Sequence, residues 1–267
     1  MKNNSVTNGF FQVGQSSLEW QCYGDPSQQV TLVLLHEGLG CIERWRDFPE
    51  QLAEHTGFAV LVYSRAGYGR SGSVTLPRPT DYMTIEAQQV VPQVLRAAGV
   101  SCCVLVGHSD GATIAAIYAG TMQDFSVRGV VLIAPHFFAE QISIDAITRA
   151  GDEYRDGTLK QKLARYHNDV NAAFYGWHDA WLSEEFKHWN VTEVIDYFRV
   201  PVLGIQGVDD QYGTLAQLQE IRSRCYSPFD ELLLTNCGHS PHIEQPQQTL
   251  ESITGFCQRL TSIGAFD

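Results

Sequence analysis

Cys102–Gly120 reads CCVLVGHSDGATIAAIYAG, and this stretch decides the fold. The run CCVLV is short and apolar, as a strand buried on both faces should be. Gly111–Gly120 follows as a helix of small residues. Between them sits Gly107-His108-Ser109-Asp110-Gly111, the G-x-S-x-G pattern in the strand–turn–helix setting that presents a nucleophilic serine. A tight turn there should strain the backbone of Ser109 and lift its hydroxyl above the sheet. The two glycines leave room for strand and helix to approach. The helix start offers free N–H groups and a positive dipole end to a developing oxyanion. The alternative, a plain strand–helix turn, uses none of these features.

Outward from this stretch the rhythm is regular. Val30–His36, Phe58–Tyr63, Val130–Ala134, Val202–Ile205 and Glu231–Leu234 read as further buried strands. Helical patterns separate them at Phe48–His55, Asp81–Ala98, Gly111–Thr121, Thr214–Cys225 and Gln247–Leu260. Gly9–Val13 and Ser17–Tyr23 suggest an antiparallel hairpin at the sheet edge. Strands alternating with helices imply an α/β fold with a mostly parallel, twisted sheet and helices on both faces. The rhythm breaks after the sixth strand. His136–Phe198 shows only helical patterns (Ser143–Ala150, Leu159–His167 and Val170–Trp181) and holds 12 aromatics in 63 residues. The expected organisation is a core of residues 1–135 and 199–267 with a helical cap at 136–198.

Composition bounds the function. The 267 residues suffice for one large domain with a packed core. Eighteen Lys and Arg against 30 Asp and Glu give a net charge of −12, which argues against a nucleic-acid binder. No window approaches 18 uninterrupted apolar residues, so no membrane-spanning helix is expected. Met1–Gly14 lacks the apolar region of a signal peptide. Seven cysteines, an odd number without repeated CxxC spacing, suggest neither a disulfide framework nor a zinc ribbon. A cytoplasmic location is expected. His136, His167, His178 and His188 have no metal-ligand spacing, so no metal is expected.

A serine hydroxyl needs a base, and the base an orienting carboxylate. On this architecture the chain order is serine, acid, histidine. Leu203–Asp210 is a strand running into a loop with Asp209 and Asp210, and Leu234–His242 one running into a loop with His239 and His242. Both loops fall at carboxyl ends of strands, where open α/β sheets place their sites.

With these residues the chain resembles a capped α/β-hydrolase of the serine hydrolase and esterase type over essentially its whole length. The resemblance rests on the Ser109 pentapeptide, on His36-Glu37-Gly38-Leu39-Gly40, on Arg65-Ala66-Gly67-Tyr68-Gly69-Arg70-Ser71 and on Gly238-His239. It implies an acid three residues after the glycine ending its strand, which selects Asp210 from Gly207, and a histidine directly after a glycine, which selects His239. Asp209 is then a turn residue, His242 a packing residue, and His108 structural. The oxyanion donors implied are the backbone amides of Asp110 and Gly38. Glu37 stands where the family usually has glycine, so it should either pair with Arg44, Arg65 or Arg70 or face the substrate.

The reaction expected is hydrolysis of a small or medium carboxylic ester through an acyl-enzyme, without cofactor. Phe137, Phe138, Phe174, Tyr175, Trp177 and Trp181 are the aromatics from which the cap could line a pocket, with Glu37, His136 and Trp177 as the substrate-binding candidates. A small molecule is the expected partner, with no nucleic acid and no membrane, and a homodimer is left open. The negative charge disfavours highly anionic substrates at long range, unless local arginines override it. A C–C bond hydrolase or perhydrolase on the same residues, and a non-catalytic small-molecule receptor, remain as alternatives.

Overall fold

The computed structural model describes residues 5–266. Along the chain run β1 (Val6–Val13), β2 (Ser16–Tyr23), β3 (Thr31–Leu35), α1 (Phe48–Thr56), β4 (Ala59–Tyr63), α2 (Tyr82–Ile85), α3 (Val91–Ala97), β5 (Cys103–His108) and α4 (Asp110–Thr121). Then follow β6 (Val127–Ile133), α5 (Gln141–Arg155), α6 (Thr158–Leu163), α7 (Val170–Trp181), β7 (Val202–Gly207), α8 (Ala216–Arg224), β8 (Phe229–Leu234), α9 (Pro241–Glu244) and α10 (Pro246–Ser262). The eight strands form one sheet in the order β1-β2-β4-β3-β5-β6-β7-β8. β1 pairs antiparallel with β2, and β2 antiparallel with β4, while every other pair is parallel.

Side-chain alternation divides the core. Val33, Leu35, Leu105, Val130 and Leu132 face the side carrying α4 and the 136–198 segment. Leu32, Leu34, Val104, Val106, Val131 and Ile133 face α1 and α10. With both faces covered, β3, β4 and β5 are buried along their whole length, which is why their sequences are almost entirely apolar. β8 departs from that reading. As an edge strand with β7 as its only neighbour it leaves Asp230 and Leu233 exposed. Among the described residues no helix is long and apolar enough to cross a membrane.

The helix expected over Asp81–Ala98 is instead α2 and α3 joined by a π-helical turn, Glu86–Val90. Pro92 lies just inside α3 and supplies no N–H to the turn before it, so the ladder widens there. Between β6 and β7 lie α5, α6, α7 and two 3-10 turns, Phe186–His188 and Thr192–Tyr197. Phe138 and Asn190 add an isolated antiparallel bridge there, the one extended pairing in a segment where no strand was expected.

Chain order fixes where a site can form. The chain leaves β3 for β4 on one side and then crosses to β5 on the other. The loops after these adjacent strands diverge and open a crevice at their carboxyl ends.

Candidate active site

Ser109 lies between β5 and α4 with φ 54° and ψ −119°, outside the regions open to most residues. The flanking glycines make this turn sterically feasible. A Cβ on Gly107 would fall 2.2 Å from the Gly111 carbonyl oxygen, and one on Gly111 would fall 1.9 Å from that of Leu35. The Ser109 amide donates to Ile133 O at 2.9 Å, and its carbonyl accepts from Ala112 and Thr113 as the first turn of α4. Strain, close approach and these hydrogen bonds hold the hydroxyl at the crevice floor.

Two more loops converge on it. Gly207 ends β7, and a Cβ there would lie 2.1 Å from Gly238 O, so the loops after β7 and β8 touch backbone to backbone. Across this contact, His239 Nδ1 is 2.8 Å from Asp210 Oδ2 and 3.0 Å from Oδ1. His239 Nε2 is 2.9 Å from Ser109 Oγ. Asp210 also accepts from Gln206 Nε2 at 2.6 Å and from the Tyr212 amide at 2.7 Å. Burial pushes the Asp210 carboxyl up, but His239 and the Tyr212 amide outweigh it and hold the pKa below its usual value. An ionised Asp210 only accepts, so Nδ1 of His239 carries the proton and Nε2 is free to receive one from Ser109. Asp209 is exposed and far less engaged, its amide donating to Cys237 O at 2.9 Å.

The loop after β3 faces the same point. Arg65 is buried and clamps it, donating through Nη1 to His36 O and through Nη2 to Glu37 O at 3.0 Å. Glu37 O also accepts from His36 Nδ1 at 2.7 Å and from the Gly40 amide at 3.1 Å. In a trans peptide the N–H points opposite to the carbonyl. The Gly38 amide is therefore turned away from these donors, and Gly38 lines the cavity above Ser109. The Asp110 carboxylate points elsewhere. It accepts from Tyr82 Oη at 2.5 Å, which in turn accepts from Trp181 Nε1 at 3.0 Å. Burial raises the Asp110 pKa against the opposing charge of Arg65, 3.8 Å away.

Of the three arginines considered for Glu37, Arg44 reaches its carboxylate, Nε to Oε1 at 3.5 Å. Arg65 binds the Glu37 carbonyl instead, and Arg70 pairs with Glu19 at 2.7 Å. His108 Nδ1 is 3.7 Å from Glu37 Oε2, while His108 Nε2 donates to His239 O at 2.7 Å. Burial pushes the Glu37 carboxyl up, but His108, Arg44 and His36 outweigh it and hold it well below the usual carboxylate range.

A cavity of about 240 Å³ opens over Ser109, and Glu37, His136 and Trp177 all line it. The Trp177 indole covers the β3 loop so closely that a Cβ on Gly38 would meet its Nε1 at 2.2 Å. His136 is buried, anchored by its backbone to Thr113, and burial drives its pKa down to about 3. Of the six aromatics considered as lining, Trp177 and Trp181 do so. Phe174 instead stacks on Tyr154 at 3.7 Å, Phe137 is core, and Tyr175 is exposed. Sequence reading missed Tyr212, Gln211, Ser143 and Ile147, which also line the cavity, as do Leu39, Arg44 and Ser240. It also missed Gln206 behind Asp210. Tyr212 and Gln211 directly follow Asp210, a neighbourhood that could have flagged them. Ser143, Ile147 and Gln206 arrive through tertiary packing and carry no local signal. A larger groove of about 660 Å³ runs past Tyr118, Arg128 and Pro201, where the chain enters β6 and β7, and includes none of Ser109, Asp210 and His239.

The model of a family described as the alpha/beta hydrolase family matches residues 32–252. Epoxide hydrolase 3 of Xenopus tropicalis is 30% identical over 129 residues, 48% of this chain and 34% of that protein. A bifunctional esterase/perhydrolase, DCH, of Acinetobacter calcoaceticus is 26% identical over 184 residues, 58% of this chain and 65% of the relative. Each match spans less than two thirds of the relative's own length. A structure from work on carboxylesterases of Nitrososphaera gargenis superposes with a TM-score of 0.76 over 95% of this chain and 99% of that one. At 19% identity this last likeness is one of fold.

Proposed function

Because this chain belongs to the alpha/beta hydrolase family, we propose that it is a serine hydrolase cleaving a small or medium carboxylic ester through an acyl-enzyme on Ser109. The observation that carries the reading is the pair of contacts at 2.9 Å and 2.8 Å that join Ser109 Oγ to His239 and His239 to Asp210. His239 Nε2 takes the Ser109 proton as Oγ attacks the carbonyl carbon, and Asp210 stabilises the imidazolium. The Gly38 and Asp110 amides hold the oxyanion, an arrangement in which each donor is typically worth about 10²–10³ in rate. His239 returns the proton to the leaving alkoxide. Water, deprotonated by the same nitrogen, then attacks the acyl-enzyme and releases the acid and Ser109. No step calls for a cofactor. Residues 136–198 act as the cap that supplies Trp177, Trp181 and His136, and the setting proposed is cytoplasmic.

Perhydrolysis is the second reading, favoured by the activity in the Acinetobacter relative's name. It needs only hydrogen peroxide in place of water at the acyl-enzyme. A fluorophosphonate probe tests the nucleophile: the wild type should label and Ser109→Ala should not. An unlabelled wild type would overturn the reading in favour of a non-catalytic receptor. 4-Nitrophenyl esters graded by acyl length, with and without peroxide, beside a ring-fission dienone, then separate esterase, perhydrolase and C–C hydrolase.

A further inference from the structure

The cavity over Ser109 does not end the crevice. A second chamber of about 410 Å³ lies between α5, α6 and the loops after β3 and β7. Leu39, Arg44, Gln211 and Tyr212 line both spaces, so the two meet along a shared wall. The outer chamber is lined by three cations, Arg44, Arg149 and Lys162, against one carboxylate, Glu153. In a chain of net charge −12 this is a local reversal of sign at the approach to the nucleophile.

The cations are available. Among the described residues Arg149 and Lys162 form no ion pair, unlike the neighbouring Arg155, which holds Asp152. Arg44 uses only its Nε on Glu37, and its guanidinium lies 5.5 Å from the Tyr166 ring centre. Both terminal nitrogens are left without a protein partner among the described residues. A guanidinium held by one edge, with its other edge open, matches carboxylate geometry. Glu37 stands between Arg44 at the junction of the two chambers and His108 beside the nucleophile.

We propose that this outer chamber is a recognition site for an anionic group of the substrate, so that the preferred ester carries a carboxylate away from its scissile carbonyl. The inference rests on the serine-hydrolase reading for the bond that is cut, but not for the binding of the anion. It sharpens the expectation drawn from net charge, because a short-range cluster acts where the long-range field is screened.

Two matched ester pairs test it. 4-Nitrophenyl hydrogen adipate and 4-nitrophenyl hexanoate differ by a carboxylate on the acyl side. 4-Acetoxybenzoate and phenyl acetate differ by one on the alcohol side. In at least one pair the anionic member should show a kcat/KM about tenfold higher at low salt, and the ratio should shrink at high salt. Arg149→Glu with Lys162→Glu should bring the ratio to about one or below. Arg96→Glu with Arg259→Glu, on α3 and α10, makes the same charge change outside this chamber and should leave the ratio as it was. Absence of an anionic preference in both pairs overturns the proposal. A binding arm is independent of turnover: Ser109→Ala protein, followed by its tryptophan emission, should bind the anionic member about tenfold tighter in at least one of two pairs, monomethyl adipate with methyl hexanoate or 4-acetoxybenzoate with phenyl acetate. Equal binding within both pairs refutes the anion site. Failure of the wild type to label with fluorophosphonate, with that binding preference intact, refutes the hydrolase reading alone.

Discussion

Two carboxylate–imidazole pairs flank Ser109, and they differ in what the far ring nitrogen meets. In the first, Asp210 holds His239 at 2.8 Å and His239 Nε2 faces the Ser109 hydroxyl at 2.9 Å. In the second, Glu37 stands 3.7 Å from His108, whose Nε2 donates to the His239 carbonyl at 2.7 Å. A hydroxyl can surrender a proton, and a carbonyl can only accept a hydrogen bond. The first pair can therefore move a proton. The second fixes the backbone of the residue that moves it. Asp210→Asn should lower kcat by about 10⁴, the scale seen when a triad carboxylate is made neutral. Glu37→Gln keeps the shape and should cost no more than about tenfold on neutral esters. Steady-state kinetics on both variants decides the matter, and equal losses would erase the distinction.

A second contrast lies in the backbone, between a glycine needed for space and one needed for conformation. Gly111 lies where a Cβ would sit 1.9 Å from Leu35 O, which is backbone of β3 and cannot yield. Gly57 caps α1 with φ 71°, and a Cβ there would have nothing within 4 Å. Gly57→Ala should cost only the left-handed penalty, about 1–2 kcal/mol. Gly111→Ala has to separate α4 from β3 and should cost more than about 3 kcal/mol, in the class of overpacked cores. Urea unfolding measures both, and a Gly111→Ala protein as stable as Gly57→Ala would show that the elbow is looser than its contacts imply.

These contrasts also mark what could be read from the sequence. The elbow was legible because its chemistry is local: strand, turn, helix and two close-packed glycines lie within one short run. Chain order narrowed the acid to Asp209 or Asp210 and the base to His239 or His242, and the resemblance to the family selected Asp210 and His239. Glu37 left two readings open because its partners, Arg44 and His108, come from different loops, and only the fold shows it paired with Arg44 while lining the cavity. Gln206 was invisible for a related reason. It sits within β7, buried behind Asp210, and nothing in its neighbours distinguishes it from a satisfied core amide. Gln206→Leu should remove that donor and reduce kcat by about tenfold, well short of Asp210→Asn, because a hydrogen bond to a charged group contributes about 1.5–3 kcal/mol, of which the transition state loses only a part. Equal turnover by wild type and Gln206→Leu would remove Gln206 from the account of how Asp210 is held.

The smallest effect distinguishes His239 from the histidines packed near it. His136 lies 5.7 Å from it, ring centre to ring centre, yet burial, followed by the neighbouring His239 charge, brings its pKa down to about 3. An unfolded histidine titrates near 6.5, so below that pH the unfolded chain binds a proton that folded His136 refuses. Stability contributed at neutral pH is therefore lost as pH falls from about 6.5 towards 3. At pH 5.5 this single group should take up about 0.9 proton on unfolding, a slope of about 1.2 kcal/mol per pH unit. His36 and His242, both buried with pKa values well below the usual one, add in the same direction. His136→Gln keeps a neutral polar side chain and should flatten the dependence of unfolding free energy on pH by about that amount, read from urea titrations between pH 5 and 6. An unchanged slope would mean that folded His136 accepts the proton, and the neutral wall over the nucleophile would then carry a charge.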